Sequence, residues 1–94
     1  MTVIALLTLD INIPHAQSLK DKRMFVRRLK DRLRSKFNVS VSEVDHQDLW
    51  QRSQVSVVIV GPDETFLQKV LNEAADEAER ILPECVIQSN IEIV

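Results

Sequence analysis

Between Val3 and Ile13 the chain alternates with a period of two: Val3, Ala5, Leu7, Leu9, Ile11 and Ile13 share one face, with Ile4, Leu6, Thr8, Asp10 and Asn12 on the other. That period belongs to a strand with one firmly buried side, and Pro14 ends it. The period then changes. Leu19, Val26, Leu29, Leu33 and Phe37 recur at helical spacing, so a first helix spans about residues 19–36 and stops at Asn38. Ser18 followed by Asp21 has the capping-box form that opens such a helix. Val39 and Val41 begin a second strand, whose alternation slips at Glu43 and Val44 as a β-bulge would make it slip. A polar segment, residues 45–52, leads back as a hairpin into a third strand that buries Val55, Val57 and Ile59. Gly61-Pro62-Asp63 breaks this strand and caps a second helix, whose buried stripe is Leu67, Val70, Leu71, Ala74, Ala78, Ile81 and Leu82. Pro83 closes it. In a final strand Cys85, Ile87, Ile91 and Ile93 alternate with Val86, Gln88, Asn90 and Glu92.

The element order is therefore β-α-β-β-α-β, and one apolar stripe per helix lets both helices cover one face of a four-stranded antiparallel sheet. This is the ferredoxin-like arrangement, an α+β fold filling one domain over residues 1–94. With 94 residues, of which 45% are hydrophobic and 28% charged, the chain is long enough for one core and too short for two. No apolar run approaches the roughly 20 residues that span a bilayer. Met1 leads straight into strand-like sequence without signal-peptide features, so the expected location is cytoplasmic and no membrane partner is expected.

Much chemistry is excluded by what the chain lacks. Gly61 is the only glycine, which removes the P-loop, the GxGxxG and GxxG loops and the GxSxG elbow. Cys85 is the only cysteine, and the histidines, His15 and His46, stand far apart, so paired-cysteine zinc or redox sites and the HExxH pattern are absent. No cofactor and no metal are expected. Asp45, His46 and Asp48 are of a type that ligates metals or moves protons, but their spacing is generic. Acylphosphatase shares the size and fold, yet its glycine-rich loop has no counterpart in Pro14-His15-Ala16-Gln17. The expectation is a binding protein and not an enzyme. Cys85 reads as a small, inert apolar residue.

The net charge of −2 hides a strong asymmetry. Residues 20–36 hold nine Lys and Arg against Asp21 and Asp31, while residues 63–84 are mostly acidic. At 100° per residue, with Val26 at the core, Arg23, Arg34, Arg27 and Lys20 fall on one flank between about 60° and 120°. A basic stripe of this kind is where nucleic-acid contact begins, because each neutralised phosphate releases counterions. The competing expectation is internal pairing with Glu73, Asp76 or Glu77 of the acidic second helix. Topology brings His15, Ser18, Lys20, Asp45, His46, Asp48, Trp50 and Arg52 to one end of the fold. There a helix N-terminus with Lys20, Arg23 and Arg52 nearby suits a phosphate; alternatively Ser18 only caps the helix and Asp45 or Asp48 pairs with Arg52 or a lysine. Trp50 either packs on a neighbour or stacks on a base. Residues 3–9 and 54–60 contain no aromatic, so the sheet face does not read RNA in the RRM manner. The RNA-contact candidates are Lys20, Arg23, Arg27, Arg34, Trp50 and Arg52. The open sheet face shows Ile4, Leu6, Val58 and Val60 beside Thr8, Gln54 and Ser56, apolar enough to expect a homodimer there; the other expectation is scattered apolar residues on a monomer.

The segments Ser18-Leu19-Lys20-Asp21-Lys22-Arg23, residues 37–45 (FNVSVSEVD) and Asp48-Leu49-Trp50-Gln51-Arg52 together resemble the YlxP-like family of small bacterial proteins of unknown function. The likeness covers nearly the whole chain. It implies the ferredoxin-like fold and, because some members are encoded among genes for transcription elongation, translation initiation and ribosome maturation, an RNA or ribosomal partner. It carries over no catalytic residue.

Overall fold

The computed structural model describes every residue from Met1 to Val94. The elements follow in the order β1 (Val3–Asn12), α1 (Leu19–Lys36), β2 (Ser40–Asp45), β3 (Arg52–Gly61), α2 (Glu64–Ile81) and β4 (Val86–Ile93). All strand pairings are antiparallel and the sheet order is β2-β3-β1-β4, so the fold is ferredoxin-like, with β1 and β3 central. No helix is long and apolar enough to cross a membrane.

The core lies between the sheet and the helices. Ala5, Leu7, Leu9 and Ile11 of β1 and Val55, Val57 and Ile59 of β3 are buried on the helix-facing side, against Val26, Leu29 and Leu33 of α1 and Leu67, Leu71, Ala74 and Ala78 of α2. Both helix starts are capped as their sequences require: Ser18 Oγ accepts from Asp21 N–H, and the Asp63 carboxylate accepts from Thr65 N–H. Gly61 hands β3 to α2 where space is short. A Cβ there would lie 3.1 Å from Leu67 Cδ2.

Two irregularities shape the edge strands. In β2 the register shifts between Glu43 and Asp45, leaving Val44 as the extra, exposed residue of a bulge, at the predicted position. The second was not anticipated. Ile11 pairs with Val86 and Asp10 with Gln88, so Ile87 is skipped and stands exposed, while Val86 and Ile91 pack against the core. The predicted alternation of β4, with Ile87 on the buried side, is thus corrected by a bulge that turns Val86 inward.

Candidate nucleic-acid interface

The positive charges of α1 divide between its two flanks. On the flank facing α2, Arg32 donates to Glu77 Oε2 at 3.0 Å, Lys36 donates to Glu77 Oε1 at 2.9 Å, and Arg28 donates to the Ile81 carbonyl at 2.9 Å. Glu77 is only 3% exposed, and its carboxylate is held below its ordinary range by hydrogen bonds from Lys36 and then Arg32, against the opposing cost of burial. On the outer flank, beside edge strand β2, none of Lys20, Arg23, Arg27 and Lys30 pairs with a carboxylate. Lys20, Arg23, Met24 and Arg27 line one shallow cleft of about 370 Å³; Arg23, Val26, Arg27, Lys30 and Glu43 line the next, of about 220 Å³. Internal pairing does occur, but Glu77 takes its α1 partners from the opposite flank. Arg34 is the exception in the predicted stripe: it donates to the Val41 carbonyl at 3.2 Å and lies 3.6 Å from Asp31.

The end of the fold where α1 begins is organised by a buried lysine. Lys22 is fully buried, and its Nζ donates to the His46 carbonyl at 2.6 Å and the Arg52 carbonyl at 3.3 Å and lies 2.9 Å from Glu43 Oε2. The same Glu43 oxygen accepts from the buried Ser53 hydroxyl at 2.6 Å. Three segments distant in sequence, the start of α1, the bulged end of β2 and the start of β3, are thereby tied together. Around this tie the 46–51 hairpin is fixed. His46 adopts a left-handed conformation (φ 63°), its N–H is held by the Asp45 carboxylate at 2.7 Å, and Gln51 Nε2 donates to the Pro14 and Ala16 carbonyls, both at 3.2 Å.

None of Lys22, Glu43 and Ser53 was among the predicted site residues, although the signal was available. Lys22 is four residues before Val26 on the core stripe of α1, and Glu43 and Ser53 occupy core-facing positions of their strands, two residues from Val41 and Val55. Three polar residues in core registers of three elements are what a buried polar network looks like in sequence.

The predicted candidates fall in two places. Lys20, Arg23 and Arg27 lie together along α1, whose first turn is tied through Lys22 to the hairpin that carries the half-exposed Trp50. Arg52 does not join them: it pairs across from Asn12 and so belongs to the open sheet face, where it forms no ion pair and its buried Nε has no hydrogen-bond partner. Asp45 and Asp48 form no ion pair with Arg52 or a lysine; Asp45 serves the turn instead. Ile4 and Val60 face each other across the central strands, as do Leu6 and Val58, with Ile4 and Val60 exposed. Farther along that face Gln54 donates to Asp10 at 3.0 Å. Cys85 is buried, and desolvation, reinforced by Glu79 and Glu84, pushes its thiol upward.

Residues 4–91 match the model of a protein family described as protein of unknown function (DUF503). The chain belongs to this family. It is 41% identical over 56 residues to the uncharacterized protein YlxP of Bacillus subtilis (strain 168), a match covering 60% of this chain and 61% of that protein's length. Among solved structures, the de novo designed protein Foldit4 superposes with a TM-score of 0.61 at 12% identity, covering 100% of this chain and 97% of that one. A C-terminal segment of the alpha subunit of aIF2 from Pyrococcus abyssi superposes with a TM-score of 0.56 at 19% identity, covering 99% of this chain and 49% of that one. At such identities the structural matches establish the fold alone.

Proposed function

We propose that the protein is a non-enzymatic binding module that contacts RNA, free or within a ribosomal particle, through the outer flank of α1 and the adjoining Trp50 hairpin. The observation that carries this reading is the division of charge along α1. The inner cations are occupied by α2, whereas Lys20, Arg23 and Arg27 stand exposed and unpaired over about 10 Å of helix. Three unpaired cations in a row suit a phosphate backbone, whose affinity for them derives from counterion release. Trp50, at the helix's N-terminal end, offers an apolar face to a base.

The test is binding of the purified protein to ribosomal particles and structured RNA across a salt series. Affinity should fall steeply with salt. In the variant Arg23→Glu/Arg27→Glu the slope of log K against log salt should flatten by roughly 1.4–1.8, two phosphate contacts' worth. Neither residue has a partner in the fold, so circular dichroism should be unchanged. Equal affinity and slope for wild type and variant would refute the proposal.

A second reading is favoured by the exposed apolar cross-strand pairs on the open sheet face: self-association through Ile4, Leu6, Val58 and Val60. Leu6→Asp/Val58→Asp should then be monomeric by analytical ultracentrifugation where the wild type is dimeric. A variant that stays dimeric rules out that face.

A further inference from the structure

The cleft between α1 and α2 contains a second, separate concentration of positive charge. It is open, about 280 Å³ in volume, and lined by Arg28, Arg32, Glu77, Arg80 and Ile81. With Lys36, the cleft region holds four cations to one carboxylate, and three of them, Arg32, Lys36 and Arg80, contact it. That single carboxylate is shared: Oε2 takes Arg32, while Oε1 takes Lys36 and lies 3.4 Å from Arg80, so the cleft keeps an excess of positive charge. Glu77 is 3% exposed whereas the Arg32 and Arg80 side chains are 56% and 70% exposed, so an incoming ligand meets mainly guanidinium groups.

Each guanidinium has a contact within the fold. Arg32 and Arg80 are held by Glu77. Arg28 is held by the Ile81 carbonyl and lies 6.0 Å from the centroid of the Phe25 ring. A guanidinium carries five N–H donors, and these contacts use only one or two on each, leaving most directed at the cleft or at water. Three arginines lining one small cleft match a tetrahedral oxyanion, which takes paired N–H donors. The acidic neighbours Glu73 and Asp76 line the adjacent cleft, which shares Glu77 and Arg80 with this one, and do not line this cleft itself.

We propose that this interhelical cleft is a phosphate-binding site, recognising the phosphate group of either a small phosphorylated ligand or a nucleic-acid backbone. It does not depend on the RNA contact assigned to the outer flank, since the two surfaces lie on different sides of α1.

The test is a titration of the arginine side-chain Nε–Hε signals by NMR, using inorganic phosphate, pyrophosphate and a short oligoribonucleotide, with chloride at matched ionic strength as control. Phosphate and pyrophosphate should shift the Arg28, Arg32 and Arg80 signals saturably, and chloride should not. Arg28→Gln leaves all Glu77 pairs intact, so the fold is retained, and it should weaken pyrophosphate binding about tenfold; Arg80→Gln should do likewise. Lys69→Gln, at an exposed α2 residue outside the cleft, should leave it unchanged. If the oligoribonucleotide displaces pyrophosphate from the same signals, the source is the nucleic-acid backbone; if pyrophosphate saturates them and the oligoribonucleotide does not, it is a small phosphorylated ligand. Absence of saturable shifts, or pyrophosphate affinity unaltered in both Arg28→Gln and Arg80→Gln, overturns the proposal.

Discussion

Replacing Lys22 by methionine keeps an unbranched apolar side chain in place and deletes only the ammonium. In the native fold that ammonium serves the Glu43 carboxylate and the carbonyls of His46 and Arg52. Without it, Glu43, only 15% exposed, keeps a single neutral donor, the Ser53 hydroxyl. Removing one member of a buried ion pair costs about 3–5 kcal/mol, because the remaining charge is stranded. A domain of this size is stable by about 5–15 kcal/mol, so Lys22→Met should consume a large share of the total. Urea unfolding followed by circular dichroism should show the midpoint falling by roughly 2–3 M for a slope of about 1.5 kcal/mol/M. The double variant Lys22→Met/Glu43→Leu removes the stranded carboxylate as well and leaves only neutral groups unsatisfied. It should recover to within about 1–2 kcal/mol of wild type. A single variant within about 1 kcal/mol of wild type, or a double variant no more stable than the single, would refute the argument that the buried pair holds the hairpin to α1.

Three further outcomes follow from the same geometry. Glu77 titrates below its ordinary value of 4.5 in the fold, so its pairing stabilises the native state above that pH and is lost as pH falls through the lowered native value. Glu77→Gln should be less stable than wild type at neutral pH, with the gap in thermal midpoint closing in acid; a gap constant to low pH would contradict the assignment. Ser18→Ala removes the acceptor for Asp21 N–H and should lower stability by about 1 kcal/mol in urea unfolding, an unchanged midpoint counting against the cap. Cys85, buried and with its thiol raised above 9.0, should resist alkylation at mildly alkaline pH until the protein unfolds. Native-state modification as fast as that of the unfolded chain would show the thiol to be accessible.

Regular side-chain periods made the order of the six elements, the core faces of β1 and β3, the Ser18 cap and the bulge at Val44 readable from the residues alone, because each expresses a local rule about which way successive side chains point. The same rules placed Lys20, Arg23, Arg27 and Arg34 on one flank of α1. A helical wheel gives an angle around a helix's own axis, but not what lies at that angle. That depended on packing: α2 brings Glu77 to the flank of Arg32 and Lys36, which leaves Lys20, Arg23 and Arg27 free, while β2 presents the Val41 carbonyl to Arg34. The skipped pairing at Ile87 likewise arises from the fit of β4 against β1, and β4's own pattern does not reveal it. Arg52, close to Trp50 in sequence, parts from the α1 stripe because strand alternation turns it to the open face. Lys22 shows the division most clearly. Its position on the core stripe is a sequence fact, but its charge is tolerable there only because Glu43 and two backbone carbonyls, from segments over twenty residues away, converge on one buried point. Periodicity is a property of neighbours along the chain, whereas charge compensation belongs to neighbours in space, and only the packed sheet and helices bring those together.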